Sequence, residues 1–259
     1  MVTKPEILAI IPARGGSKGI PHKNIKSFAG YPLISYSIAA ARQSKSVTRV
    51  IVSTDDEEIA AVARQWGAET PTLRPAALAL DNTTDLPVFQ HALRWLDEHE
   101  WYSPDLIIQL RPTSPIRPRR CVDEAVSLLQ RHPEADSVRG VVPSSQNPFK
   151  MWRVQNPEEP MLPLLTLDGV SEPFNAPRQS LPPTYWQTGH IDVIRPQIIL
   201  TRNSMSGKTI LPYLIDPRYT VDIDTPFDWL RYESLVRNGG LEMVDPASQR
   251  RPFPDKIAL

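Results

Sequence analysis

Between residues 11 and 25 the chain reads IPARGGSKGIPHKNI, with three glycines in five positions threaded among Arg14, Lys18, His22 and Lys23. Glycines let a backbone approach an oxyanion closely and turn its N–H groups toward it, while the cations supply charge, so the segment suits a polyphosphate. A P-loop would need Lys and then Ser or Thr after its last glycine, but here Lys18 precedes Gly19 and Ile20 follows it. The dinucleotide pattern G-x-G-x-x-G is also unmet. A general phosphate-binding turn remains, beside the plainer reading of a Gly-rich turn with solvated basic residues.

Four further segments are polar in ways that a bare connection does not require. In VDIDTPFD, residues 221–228, an extended backbone projects Asp222 and Asp224 to one side, where their charges repel unless a cation lies between them. Two carboxylates completed by phosphate oxygens are a usual Mg²⁺ donor set. The plainer alternative is that Asp224 caps the helix that Pro226 begins. In QLRPTSPIR, residues 109–117, two prolines fix the backbone and display Arg111, Thr113, Ser114 and Arg117. LRPAALALDNTT, residues 73–84, offers Arg74, Thr83 and Thr84 ahead of a helix, and reads equally as a helix-entry loop. In RQSLPPTYWQTGHIDVIR, residues 178–195, Arg178 and Gln179 suit a carboxylate or polyol, Tyr185 and Trp186 a ring face, and Gly189 a close backbone approach. His190 and Asp192 share a strand face, either as a metal pair or as a packed histidine beside a sugar-binding carboxylate.

These segments need a frame. Short apolar runs of strand length (7–13, 49–54 and 105–110) alternate with stretches of helical period, the pattern of an α/β fold with a mostly parallel sheet between helices. Each run lacks polar alternation and reads as buried on both faces. In DDEEIAAVARQW, Ile59, Val62, Ala63 and Trp66 recur at helical spacing behind an acidic first turn. Ligands of such sheets sit where strands end and loops lead into helices, and four of the five polar segments fall there. Between about 140 and 185 the alternation gives way to a Pro-rich but strongly apolar excursion, expected as two or three antiparallel strands that pack on a second subunit. Residues 1–245 read as one domain carrying this excursion. YTVDIDTPFDWLRYESLV reads as a strand running into a helix, and 246–259 as a mobile tail.

Composition narrows the partners. Lys plus Arg and Asp plus Glu both number 29, so no net field draws the chain to nucleic acid or to a membrane surface, and no run approaches 20 apolar residues. The single cysteine, Cys121, excludes an internal disulfide and any multi-cysteine zinc site, and fits a reducing cytoplasm. Its helical spacing with Val122, Ala125 and Val126 reads as a core position rather than a reactive thiolate.

Taken in order, IPARGGSKGIPHKN, RPAALALD, RPTSPIR, RQSLPPTYWQTG and VDIDTP resemble the CMP-sialic acid synthetases, the acylneuraminate cytidylyltransferase family, over residues 7–230. That resemblance implies a Rossmann-like nucleotidyltransferase, Mg²⁺-dependent, which joins CTP to a 2-keto-3-deoxy acid sugar (a sialic acid or related nonulosonate) and releases pyrophosphate. It implies a homodimer, or a dimer of dimers, formed through the inserted segment. Carried onto this chain, Arg14, Lys18 and Lys23 hold and neutralise the triphosphate, with Asp222 and Asp224 as metal carboxylates and Asp224 counted with the catalytic groups. Ala13, Gly15, Gly16, Ser17, Thr83 and Thr84 join the nucleotide contacts, and Asn24 and Arg74 read the cytosine. Lys150 and Arg178 are sugar-side cations that reach toward a neighbouring subunit. Arg111, Thr113, Ser114, Gln179, Tyr185, Gln187, Thr188, Gly189, His190 and Asp192 complete the sugar side. The chain departs from its family there: Arg111 stands where a glutamine is usual, and Trp186-Gln187-Thr188-Gly189 where Arg-x-Asn-Gly is usual. The altered sugar half leaves an octulosonate acceptor, or a non-catalytic nucleotide-binding homologue, as alternatives.

Overall fold

The computed structural model describes residues 4–249. In chain order the elements are β1 (Ile7–Pro12), β2 (Ser27–Phe28), β3 (Tyr31–Pro32), α1 (Leu33–Gln43), β4 (Arg49–Ser53), α2 (Glu57–Gln65), α3 (Asp85–Glu100), β5 (Leu106–Gln109), α4 (Cys121–Arg131) and β6 (Ser137–Pro143). They continue with β7 (Trp152–Arg153), β8 (Leu162–Pro163), β9 (Tyr185–Ile194), α5 (Pro196–Leu200), β10 (Ile210–Leu214) and α6 (Pro226–Arg237). Six strands form one mostly parallel sheet in the order β10-β6-β9-β5-β1-β4. β1 runs parallel to both β4 and β5, and β9 runs antiparallel to β5.

The apolar runs become strands buried on both faces because successive residues feed two separate cores. Ile7, Ala9 and Ile11 of β1 join Ile34 and Ile38 of α1, Ile59 of α2 and Val126 of α4 on one side. Leu8 and Ile10 join Phe89 and Leu93 of α3 and Ile198 of α5 on the other. Phe89 is fully buried, and its truncation to alanine would cost about 3–5 kcal/mol, a large share of any domain's stability. Helix starts follow local chemistry. The Asp56 carboxylate accepts from the Glu58 and Ile59 amides to cap α2. α6 starts in a capping box between Thr225 and Asp228 with Pro226 in its first turn.

That last cap decides between the alternatives left open for Asp224: Thr225 occupies the N-cap, which leaves the Asp224 carboxylate available for other work. The stretch ahead of it also differs. Residues 220–224 form no strand; they follow a short 3₁₀ turn, Pro217–Tyr219, and are tied to the 111–117 segment by Ile223 N–H donating to Thr113 O at 2.9 Å. A strand-like sequence without a neighbouring free edge stays extended but unpaired. Cys121 is fully buried, and burial pushes its thiol up to about 12, consistent with a core position.

The described chain forms two compact units, one made of the chain up to Gly140 and from Thr188 onward, the other of Val141–Gln187. In the second unit β7 and β8 pair antiparallel, Trp152 opposite Pro163, and the Trp152 and Phe174 rings sit 4.6 Å apart. Lys150 Nζ donates to Phe174 O and Arg178 Nη2 to Ser144 O, so both cations brace this unit's own backbone. Met161, Leu162, Leu164, Leu165 and Val170 remain exposed there. Of the expected tail, Pro246–Gln249 forms a 3₁₀ turn, and Gln43 Nε2 donates to Asp245 O and Ser248 Oγ at 2.8 Å each; residues 250–259 lie outside the described residues. Among the described residues no helix is long and apolar enough to cross a membrane.

Candidate active site

The carboxyl ends of β1 and β5 open into a crevice of about 350 Å³, within the size range of small-molecule sites. Arg14, Ser17, Lys18, Lys23 and Asn24 line one side. Arg74, Leu78, Leu80 and Thr83 line a second, and Asp85, Arg111 and Thr113 a third, with Asp224 at the edge. Five cations from three separate segments therefore converge on one concavity.

Long-range hydrogen bonds hold the segments together. Lys23 Nζ donates to Ile223 O at 2.8 Å and to Asp224 Oδ1 at 3.1 Å, stitching the glycine loop to the 221–224 segment. Gly19 permits this closeness: a Cβ there would stand 2.3 Å from the Asp224 carbonyl oxygen. Asn24 Nδ2 donates to Arg14 O at 2.9 Å and braces the loop from inside. Gly15 and Gly16 line the approach to the loop rather than the crevice itself; Gly15 N–H donates to Asp55 Oδ1 at 3.1 Å. The cations at the mouth have an acidic partner that the sequence did not single out. Asp81 Oδ1 lies 2.8 Å from Arg14 Nη1, and its other oxygen pairs with Lys18. These hydrogen bonds, Lys18 first, hold the Asp81 carboxyl below the usual carboxylate range.

Arg74 is the reverse case. Its guanidinium is buried, with Nε and Nη2 lacking hydrogen-bond partners, and the nearest carboxylate, Asp55, is 3.5 Å away. Burial first, and then the neighbouring Arg14 charge, lower its pKa. Both atoms are closed to solvent, so the Asp55 carboxylate offsets the buried guanidinium charge across 3.5 Å while Arg74 still contributes to the crevice lining.

Asp222 and Asp224 behave as the sequence suggested electrostatically. The Asp222 carboxyl is raised, by desolvation first and then by the Asp224 charge, against the Thr113 hydrogen bond and the Lys23 and Arg111 charges that lower it. Among the described residues no group of three or more His, Cys, Asp or Glu side chains could by itself hold a metal ion. A divalent cation would thus find two carboxylates here, mutually repelling, and would need its other oxygens from a ligand, which suits Mg²⁺ beside a triphosphate.

On the sugar side the structure redistributes the predicted residues. Arg111 and Thr113 face the crevice. Asp85, at the start of α3, accepts from Arg111 Nη2 at 2.6 Å and from Gln109 Nε2 at 2.8 Å, and neither Asp85 nor Gln109 was among the predicted site residues. Gln109 carried a usable signal as the one polar residue of the LIIQ strand; Asp85 looked like any acidic first turn. Pairing of Gln109 with Asp192 across β5 and β9 puts the latter's carboxylate behind Arg111, at 3.6 Å, with Arg139 Nε at 2.8 Å.

Several predicted contacts are instead walls. His190 is fully buried, its Nε2 placed 2.6 Å from Tyr219 O and 3.1 Å from Ile116 O, which makes Nε2 the protonated nitrogen; Nδ1 has no partner but is closed off from the crevice by burial. Ser114, Thr188, Asp192 and Ala13 are likewise buried, and Thr188 Oγ1 donates to Gly140 O at 3.2 Å. Thr84 sits at the N-cap of α3, just outside the crevice lining. Arg117, expected on display, is the largest fully buried side chain: it donates to His190 O, Ser37 Oγ and Arg111 O, and burial holds its guanidinium down to about 10. It fixes the backbone from which Arg111 projects. Gly189 keeps a function in this support, because a Cβ there would lie 2.7 Å from Ser114 Oγ and 3.3 Å from Arg111 Cδ. Lys150, Arg178, Gln179, Tyr185 and Gln187 belong to the second unit, where Tyr185 and Trp186 are exposed.

The cytidylyltransferase family model matches residues 8–157. The chain is 32% identical over 241 residues to the CMP-N,N'-diacetyllegionaminic acid synthase of Campylobacter jejuni, covering 93% of this chain and 99% of that one. It is 32% identical over 242 residues to the N-acylneuraminate cytidylyltransferase of Escherichia coli, covering 93% of this chain and 55% of that longer protein. Among solved structures, a CMP:2-keto-3-deoxy-manno-octonic acid synthetase complexed with CTP superposes with a TM-score of 0.65 over 90% of this chain and 99% of that one, at 17% identity. This last likeness is one of fold.

Proposed function

This chain belongs to the cytidylyltransferase family, and from that premise we propose that it activates a nine-carbon 2-keto-3-deoxy acid sugar with CTP, giving the CMP-sugar and pyrophosphate. The observation that carries the reading is the convergence of Arg14, Lys18, Lys23 and Arg74 on one crevice beside Asp222 and Asp224. The sugar's anomeric hydroxyl attacks the α-phosphorus in line; the new O–P bond forms as the bond to the β-phosphate oxygen breaks, and pyrophosphate leaves with the negative charge.

Arg14, Lys18 and Lys23 hold the triphosphate and stabilise charge as it builds on the leaving group. Arg74, which lines the crevice, reads acceptors on the cytosine. Asn24 contributes indirectly, holding the Arg14 carbonyl so that the loop keeps its curvature. Asp222 and Asp224 would hold Mg²⁺, which when bound neutralises phosphate charge and acidifies the attacking hydroxyl. Lys23 meanwhile keeps Asp224 in place through its 3.1 Å contact, so phosphate and metal subsites are linked by one side chain. No covalent intermediate is required, in keeping with a crevice that holds no nucleophile-and-base pair among its described lining residues. The exposed apolar side chains of Val141–Gln187 support a homodimer formed through this segment, from which Lys150 and Arg178 would reach a neighbouring subunit's acceptor sugar.

Replacing Asp224 by asparagine tests the metal assignment. Turnover should be abolished, while the far-ultraviolet circular dichroism spectrum and melting midpoint stay near those of the wild type, because Thr225 and not Asp224 caps α6. Wild-type-like pyrophosphate release by this variant would sink the assignment.

A further inference from the structure

We propose, resting on the CTP reading above, that Asp55 is a positioning residue for the nucleotide: one of its carboxylate oxygens holds the Arg74 guanidinium in register with the glycine loop, and this sets the preference for cytosine over uracil. Asp55 does not itself line the crevice and acts through groups that do.

The turn after β4 is a bracket between the two recognition segments. Ser53 O accepts from Ala13 N–H at 3.0 Å, where the glycine loop leaves β1. Thr54 O accepts from Arg74 N–H at 2.7 Å, on the base side. Asp55 Oδ1 then meets both: it accepts from Gly15 N–H at 3.1 Å and lies 3.5 Å from Arg74 Nη2. The turn has little room to shift. Thr54 is fully buried and its Oγ1 accepts from Asp56 N–H at 3.1 Å, while the Asp56 carboxylate is occupied in capping α2. A rigid turn thus carries one charge to the point where loop and guanidinium meet.

Arg74 depends on that charge more than an exposed arginine would. Its side chain is 5% exposed, and among the described residues Asp55 supplies its only ion pair. Burial disfavours the cation and the nearby Arg14 charge adds repulsion, whereas the Asp55 charge is the largest influence in its favour. Nε and Nη2 are closed to solvent, which leaves Nη1 to face the crevice that Arg74 lines. Held from behind by one carboxylate and open in front, the guanidinium takes its angle of approach from Asp55.

The chemistry of the base makes that angle matter. Cytosine presents adjacent acceptors at O2 and N3, whereas uracil carries a hydrogen at N3. An Nη1 group directed at that edge favours cytosine; one that has drifted toward solvent or toward a phosphate does not tell the two bases apart.

The test is calorimetric binding of CTP, UTP and inorganic tripolyphosphate, each with Mg²⁺, to the full chain as wild type, Asp55→Asn and Arg74→Gln. The wild type should prefer CTP to UTP. In Asp55→Asn the amide oxygen can still accept from Gly15 N–H, but the charge that holds Arg74 is gone. The CTP-to-UTP ratio should therefore fall toward unity by roughly tenfold, the worth of one hydrogen bond from a charged donor, while tripolyphosphate binds as tightly as before or tighter. Placed on Arg74→Gln, the same substitution should lower the ratio no further, because the guanidinium it acts through is absent. A ratio that survives Asp55→Asn overturns the proposal, as does a further drop on the Arg74→Gln background. An equal loss of affinity for all three ligands overturns it too, being the mark of a merely structural role. If the wild type binds UTP as tightly as CTP, the CTP reading fails and this proposal with it; a wild-type preference that Asp55→Asn leaves intact defeats this proposal alone. Should Asp55→Asn fold poorly, Asp55→Ser removes the same charge with a smaller side chain and is judged by the same ratio.

Discussion

Acid should weaken this fold through one side chain. His190 is buried without a charge partner, and desolvation first, with the nearby Arg117 charge second, lowers its pKa from 6.5 to about 4. The unfolded chain takes up a proton on this histidine below about pH 6.5, whereas the folded chain resists until about pH 4. Stability is therefore lost as pH falls through that window. With about 1.36 kcal/mol per pH unit, the histidine alone removes about 2 kcal/mol by pH 5 and about 3 kcal/mol by pH 4. The penalty falls on the buried charge, since the Nε2–H contacts with the carbonyls of Ile116 and Tyr219 are made in both protonation states and the added proton goes to Nδ1, which is buried without a partner.

The assay is denaturant unfolding at pH 7.5 and pH 5.0 on the wild type and on His190→Gln. Glutamine keeps an N–H donor for one carbonyl but has no proton to gain. The variant should start less stable at pH 7.5, and the gap should close by about 2 kcal/mol at pH 5.0. Equal losses in the two proteins would refute the assignment of His190 as a neutral, buried tie.

Two other predictions concern the glycine loop. Gly19→Ala places a Cβ 2.3 Å from the Asp224 carbonyl oxygen, and backbone cannot swing aside as a side chain can; overpacking of this kind costs about 1–3 kcal/mol, and CTP affinity measured by calorimetry should fall with it. Unaltered affinity would mean that the loop and the 221–224 segment need not touch when nucleotide binds. Asp81→Asn frees Arg14 and Lys18 from the anion that now holds them. CTP should bind several-fold tighter at low ionic strength, with the advantage shrinking as salt is added; equal or weaker binding would show that Asp81 does not compete with the nucleotide for these two cations.

Much of the frame was legible because its signals are local. The runs at β1, β4 and β5 lack polar alternation, and strands without it are buried on both faces. Arg14, Lys18, Lys23, Arg74, Arg111 and Asp224 drew notice because each sits within two residues of a glycine or proline at a strand exit or helix entry, and all six line the crevice. What escaped depends on partners distant in sequence. Arg117 reads as displayed and His190 as either a metal ligand or a packed histidine; each is held by carbonyls that only the tertiary fold brings near. Asp81 and Asp85 carry no sequence mark that separates them from ordinary loop and helix-start acids; their roles come from the cations folded against them. The cap of α6 stayed open in the sequence, since Asp224 and Thr225 are both good caps and only the reciprocal bond with Asp228 decides between them.

The central claim is the reaction itself, and pyrophosphate release tests it most directly. The purified chain with Mg²⁺ is offered CTP, UTP, GTP or ATP, each against a panel of eight- and nine-carbon 2-keto-3-deoxy acid sugars. The account predicts release with CTP alone and with a nine-carbon acid in preference to the octulosonate. Release driven by another nucleoside triphosphate, or tight CTP binding with no release from any acid sugar, would contradict it.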